Sequence, residues 1–342
     1  GYPVDDPSGW PRGYRMLRDA VSEALTAADE NARRALDRSK TALVLGTNFG
    51  CISALEKPLA TGGLSSSASV GDLALYPFDE TAAQLAREFG LGGPRMVVSL
   101  SCASGAAIIG IAGDLLREYG VDAALAAGFD ELTLTNYSGL SALRAITTNT
   151  VRPFDADRDG TQFSEGAGCA LLEDAAIAER RGAAGPSVLG WSANNDGYHM
   201  TAPDQDGTGI IAVMRSALKS AGIEPTAVDY INAHATGTKY NDLIETRAIK
   251  AVFGERAKEI PIGANKSVLG HGMGAAGIWE LISTVFSMKT GKLPPTAGYQ
   301  TPDPDLDLDY CVGGVRDKAI KTALSCSYGF GGTNAAVVLS AV

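Results

Sequence analysis

Long apolar runs are missing from this 342-residue sequence. No window approaches the roughly 18–20 uninterrupted apolar residues of a spanning helix, so no membrane span is expected. The opening GYPVDDPSGWPRGYRM lacks the layout of a signal peptide, and a cytoplasmic protein is expected. A surplus of positive charge is missing too. Lys and Arg number 29 against 39 Asp and Glu, a formal net charge of -10, whereas a nucleic-acid binder normally carries a basic surface. Cysteine is scarce: five residues, at 51, 102, 169, 311 and 326, an odd number without a CxxC pair. That pattern suggests neither a disulfide framework nor a zinc ribbon, and no metal site is expected. The string DADRDG (155–160) lacks the closing Glu of a calcium loop; Asp155, Asp157, Arg158 and Asp159 read as a solvated or interface loop.

What is present describes an ordinary globular chain with many tight turns: 45% hydrophobic residues, 20% charged and 41 Gly. Its length allows a core that needs no disulfide or metal support. Periodicity predicts a helix over 14–38, a buried strand at 41–47 (TALVLGT), a Gly- and Ser-rich loop over 48–76 and a helix at 78–89. A strand at 95–101, a helix at 103–118 and a strand at 122–128 complete a first cycle. A second cycle follows, with strands at 187–191, 228–232, 260–264, 322–327 and 334–340 and helices at 207–221, 240–252 and 274–289. Such alternation predicts parallel α/β layering. The break GAAGP (182–186) separates two similar halves, 1–183 and 184–342; the first carries Cys102, the second His234 and His271. TPDPDLDLDY (301–310) has too many Pro and Asp for a central strand and reads as a solvated loop.

Chemistry concentrates at strand ends. In VVSLSCASGAA (97–107) a strand runs through Cys102 into a small-residue helix, an arrangement that presents a side chain at a sharp turn. A thiol at a helix N-terminus is expected to have its pKa lowered below about 8.5. Against that stands the plainer reading of Cys102 as one more small core residue, as Cys51, Cys169, Cys311 and Cys326 are read. Of only three histidines, His234 (NAHATGT) and His271 (NKSVLGHGMGAAG) follow predicted strands in Gly-rich turns, while His199 suits a structural or a substrate-facing place equally. Lys266 and Glu280 supply one cation and one carboxylate near an imidazole, able to fix its tautomer. Finally, SCSYGFGGTNAAVVL (325–339) is either a plain hairpin turn or a turn whose glycines aim amides, that of Phe330 among them, at a bound atom.

Taken together, SCASGA, RPFDADRDGTQFSEGAG, DGYHMTAP, NAHATGT, NKSVLGHGMGAAG and GFGGTN make the sequence resemble the β-ketoacyl-[acyl-carrier-protein] synthases, the decarboxylating condensing enzymes of fatty-acid and polyketide synthesis. The resemblance implies an α/β thiolase fold, a five-layered α-β-α-β-α sandwich of two similar halves, here without the family's usual first N-terminal strand. It implies Cys102 as acyl-accepting nucleophile, His234 and His271 as the pair stabilising the malonyl-derived enolate, and Lys266 with Glu280 as electrostatic support. The amides of Cys102 and Phe330 would form the oxyanion hole, Thr236 and Thr238 would bind the phosphopantetheine arm, and Asp242 and Glu245 would shape the site. Leu140 aligns with the acyl-pocket gate. The implied partners are an acyl carrier protein and either a second copy or a ketosynthase-type heterodimer partner. No cofactor is implied, because the phosphopantetheine arm belongs to the substrate. The alternatives are a non-elongating acyltransferase or decarboxylase, and the partner subunit of a ketosynthase heterodimer.

Overall fold

Two runs of small and branched residues set the architecture. β1 (Thr41–Gly46) and β3 (Ala123–Asp130) are buried along their whole length, as strands of a parallel sheet must be when both faces are covered. The structure, a computed structural model, describes residues 9–27, 36–60, 73–180, 182 and 185–341. In the first sheet the order is β2 (Arg95–Val98), β1, β3, β4 (Gly166–Glu173), parallel except that β4 runs against β3. The second sheet has the order β5 (Ser187–Asn195), β11 (Thr333–Ser340), β10 (Thr322–Gly329), β6 (Tyr230–Asn232), β7 (Ile262–Gly263). Read from its far edge, β7-β6-β10-β11 repeats β2-β1-β3-β4 with the same strand directions. Its fifth strand, β5, has no counterpart beside β4 among the described residues.

Helices cover both sheets and fill the space between them. α1 (Arg12–Ala27) buries Tyr14, Leu17, Val21 and Leu25, spaced for one helical face, on β3 and β4. α3 (Phe78–Phe89) packs beside it on β1 and β2, while α2 (Ser53–Ala60) lies in the preceding connection. On the far side, α7 (Thr208–Ser220) and α8 (Lys239–Phe253) cover the second sheet. α4 (Ser104–Glu118) and α10 (Ala276–Thr290) form the middle layer, giving the expected α-β-α-β-α sandwich. They cross where Gly105 meets Gly277: a Cβ on Gly277 would lie 2.3 Å from Ala106 N, and one on Gly105 would lie 2.7 Å from Ile278 N. Backbone therefore touches backbone there. Short pieces complete the chain: α5 (Leu134–Ala142), α6 (Ala175–Arg180), α9 (Lys266–Leu269) and the ribbon β8 (Lys292–Leu293) with β9 (Arg316–Asp317).

Several expectations need correction. The helix predicted to 38 is seen to Ala27; residues 28–35 lie outside the described residues, as do 183 and 184 at the boundary between the halves, and Arg38–Lys40 is a 3-10 turn. The strand predicted to 101 ends at Val98, because Ser101 turns into the left-handed region with φ 53. The 48–76 loop contains α2, and neither β4 nor α5 was foreseen. The DADRDG loop is not solvated throughout. Asp155 is fully buried and accepts the amides of Gln300 and Thr301, and buried Arg158 pairs with Asp303 at 2.6 Å. The loop 301–310 holds no strand, as expected, yet Leu306 and Tyr310 point into the core. Cys169 is only half-buried.

Candidate active site

The chemistry-bearing residues gather where strand ends of the two sheets face each other. Leu100 and Ser101 turn the chain after β2, and Cys102 precedes α4 by two residues. Ser101 adopts a conformation that costs a non-glycine residue roughly 1–2 kcal/mol. Neighbours hold it there: Ser104 Oγ accepts the Leu100 amide at 2.8 Å and bonds the Ser101 carbonyl at 2.7 Å. From the other sheet, Thr333 Oγ1 donates to the Leu100 carbonyl at 2.9 Å. The β10–β11 hairpin thus docks on the Cys102 turn, so closely that a Cβ on Gly329 would lie 2.8 Å from Cys102 N. The Gly-rich stretch is a hairpin turn, and its Phe330 amide donates to the Cys102 sulfur.

His234 follows β6 on a loop fixed from below by α8. Glu245 Oε1 accepts the His234 amide at 2.8 Å and Oε2 accepts that of Ala235 at 2.9 Å. Asp242 accepts the amides of Gly237 and Phe154, tying this loop to the RPFD segment. Thr238 caps α8 through the Asn241 amide, and its hydroxyl lies 2.9 Å from that of Thr236. Buried Lys266 donates to Glu280 and to the His234 carbonyl (2.6 Å), and its Nζ lies 3.2 Å from His234 Nδ1. Ser327 Oγ donates to the other Glu280 oxygen.

These contacts decide which nitrogen carries the proton on each ring. An ammonium has no lone pair to offer, so His234 Nδ1 accepts and the neutral ring keeps its proton on Nε2. His271 Nδ1 accepts the Met273 amide at 3.2 Å, with the same result. Burial, the Lys266 charge and, for His234, its histidine neighbour hold both imidazoles well below their ordinary pKa, so both are neutral at pH 7. The rings stand edge to face with centroids 5.4 Å apart; Phe163 stacks on His271 and Tyr328 meets the edge of His234. Burial lifts the Glu280 carboxyl while the Lys266 ammonium pulls the other way, and burial lifts Glu245 to about 8.

One expectation is overturned. The Cys102 thiol is not depressed: burial pushes it up to about 11, outweighing the Lys266 charge and the Phe330 and Ser101 hydrogen bonds. A neutral thiol is the resting form.

Cys102, His234, His271, Thr236, Thr238 and Phe330 line one cavity of about 380 Å³, with Phe163, Tyr328, Arg144 and Asp159 also on its wall. Lys266, Glu280, Asp242 and Glu245 stand behind it. Leu140 is not on this wall. It lies in an apolar cluster with Phe163 and Met273, against which Phe49, Ile146 and Phe330 pack. His199 is exposed and not on the cavity wall, but it accepts the amides of Thr201 and Ala202, which are. Sequence reasoning missed Phe163, Tyr328 and the buried Asp130; only Asp130 had a visible signal, a carboxylate ending an apolar strand.

Two domain profiles match the chain: β-ketoacyl synthase, N-terminal domain, over residues 12–178, and β-ketoacyl synthase, C-terminal domain, over 186–300. The 3-oxoacyl-[acyl-carrier-protein] synthase 2 of Staphylococcus aureus is 36% identical over 94% of this chain and 81% of its own. The chain belongs to the β-ketoacyl synthase family. The corresponding synthase of Coxiella burnetii is 37% identical over 75% of this chain, an alignment spanning 64% of that relative, just under two thirds of its length. Among solved structures, a type II polyketide ketosynthase in complex with its acyl-carrier protein and bound to a hexaketide has a TM-score of 0.91 at 31% identity, covering 98% of this chain and 86% of that one. A β-ketoacyl synthase from Burkholderia phymatum gives 0.87 at 30%, covering 100% and 86%. Among the described residues no helix is long and apolar enough to cross a membrane.

Proposed function

We propose that this chain is a β-ketoacyl-acyl-carrier-protein synthase acting in fatty-acid or polyketide biosynthesis. A single observation carries the reading. The Cys102 sulfur, the Phe330 amide and two neutral imidazoles whose Nδ1 atoms are already engaged all border one cavity, leaving both Nε2–H groups as donors.

Acyl transfer comes first. The Cys102 sulfur attacks the carrier thioester, the carbonyl oxygen takes charge against the amides of Cys102 and Phe330, and the carrier thiol leaves with the proton that Cys102 loses. A malonyl-type thioester then loses CO2. The electron pair of the broken carbon–carbon bond becomes an enolate whose oxygen accepts from the Nε2–H groups of His234 and His271. The enolate carbon attacks the acyl carbonyl, the carbon–sulfur bond breaks, and the Cys102 thiolate takes a proton from solvent water as the β-ketoacyl product departs. Lys266 and Glu280 act by holding the His234 tautomer, and Asp242 and Glu245 by fixing its loop. Thr236 and Thr238 offer hydroxyls to the phosphopantetheine arm, which is part of the substrate; no resident cofactor is needed. Leu140 would act on acyl-chain fit from behind Phe163.

An acyl carrier protein is the proposed partner in catalysis, and a second copy or a heterodimer partner the proposed structural one. The family relationship supports the first. The edge strand β2, with Arg95 and Met96 exposed, supports the second. A cytoplasmic setting suits five unpaired thiols. The test is intact-protein mass spectrometry after exposure to acyl-carrier thioesters. Wild type should gain one acyl group and Cys102→Ala none, while His234→Ala and His271→Ala should lose malonyl decarboxylation more than self-acylation. An acyl adduct that persists in Cys102→Ala overturns the reading, as does a wild type that gains none.

A further inference from the structure

We propose that Asp130 is a positioning residue that fixes the tautomer of His271 and couples its turn to the apolar wall of the acyl site; the catalytic part of this inference rests on the function proposed above. Asp130 ends β3, directly beyond the level at which β1 and β3 pair Gly46 with Gly128. It therefore stands at the carboxyl end of the parallel strands, where α/β sheets open their sites.

Its carboxylate is fully buried and acts only as an acceptor. Oδ1 receives Thr47 Oγ1 at 2.7 Å and the Phe49 amide at 2.9 Å, the Asn48 amide bridges both oxygens at 3.1 Å, and Oδ2 receives the Gly274 amide at 2.7 Å. Those donors belong to two segments from opposite halves of the chain. One, following β1, carries Phe49 into the apolar cluster with Leu140, Phe163 and Met273. The other is the turn His271–Gly274, whose Met273 amide is the donor on His271 Nδ1. The Met273 amide and the Gly274 amide flank a single residue, so the donor that sets the histidine's proton is held one residue from the carboxylate. Gly274 has no room to move toward it, since a Cβ there would lie 2.7 Å from Asp130 Oδ2 and 2.8 Å from Thr47 Cα.

No arrangement of an amide can satisfy this set. In Asp130→Asn the single oxygen serves the Thr47, Asn48 and Phe49 donors, and the NH2 group then faces the Gly274 N–H. The turn must open there, and with it the Met273 hydrogen bond on His271. The first readout needs no activity. With only three histidines in the chain, the ring nitrogens can be followed in long-range 1H–15N spectra of protein labelled on histidine. Wild type should show His234 and His271 protonated on Nε2; Asp130→Asn should convert the His271 pattern to a mixture of tautomers and leave that of His234 in place. The second readout compares half-reactions. Decarboxylation of a malonyl thioester should fall at least about tenfold, while self-acylation of Cys102 changes less than about threefold.

An unchanged His271 tautomer in folded Asp130→Asn overturns the proposal, as does an equal fall of both half-reactions. Should Asp130→Asn not fold, Thr47→Val removes one donor from the same carboxylate and must shift the two readouts in the same direction by a smaller amount; no shift overturns the proposal. A wild type that neither acylates nor decarboxylates refutes the condensing function, and the tautomer readout still decides the role of Asp130.

Discussion

Gly329→Ala probes the site without replacing any of its functional side chains. The backbone at Gly329 has φ -131, open to any residue, so only space opposes a methyl group. That methyl would lie 2.6 Å from Thr333 Oγ1 and 2.8 Å from both Cys102 N and Ser101 Cβ, where ordinary contact begins at 3.4 Å. The hairpin and the Cys102 turn must therefore part by about 0.6 Å at the Cys102 amide. The two amides of the proposed oxyanion hole, Cys102 and Phe330, flank the intrusion, and Phe330 is the next residue in the chain. Losing one such donor typically lowers kcat by roughly 10²–10³, about 2.7–4 kcal/mol. Overpacking adds a stability loss of about 1–3 kcal/mol. The assay is the rate of acyl-adduct formation by quenched-flow mass spectrometry, with alkylation of Cys102 by iodoacetamide as a control that needs no oxyanion hole. Acylation should fall by at least about a hundredfold and alkylation by less than about threefold. Acylation within about threefold of wild type, in a folded variant with a lowered melting temperature, would show that the amides tolerate displacement and refute the reasoning.

Two further outcomes follow from the buried charges and the buried thiol. Lys266→Met strands Glu280 without its cation, and urea unfolding should show a loss of about 3–5 kcal/mol that Lys266→Met with Glu280→Gln largely restores. A loss in the single variant as small as that of a surface pair would contradict the burial described. For Cys102, whose folded pKa of about 11 lies above the free value, the reactive thiolate fraction grows as pH rises and levels off only above 11. The alkylation rate measured from pH 7 to 10 should climb throughout; a plateau below pH 8 would mean that the helix terminus and Lys266 overcome burial.

Much of the molecule was legible because its signals are local. β1 and β3 are short apolar runs between Gly-bearing turns, and the strand-end histidines stand in sequence contexts that do not suit a core. β4 escaped notice because GAGCALLE opens on small residues without alternation, and α5 because LTNYSGLSA has no apolar face to read. The height of the Cys102 pKa was not legible for a different reason. A helix N-terminus is written in the sequence beside it, whereas the desolvation that wins comes from a cavity built by both halves. Asp130 belongs to the same class: its donors lie 81 to 144 residues away.

The glycine crossing of α4 and α10 has a bearing on how such a site can vary. Cys102 leads into one of these helices, while His271 leads into the other, which carries Glu280. With no side chain between them, the separation of thiol and imidazole is a machinist's gauge block, set by main-chain thickness and insensitive to the identity of neighbouring residues. Phe49, Leu140, Ile146 and Phe163, by contrast, meet only through side chains, each replaceable one methylene at a time. Under the proposed function, diversification of the acyl group has an inexpensive direction, outward from the gauge, and a closed one, along it.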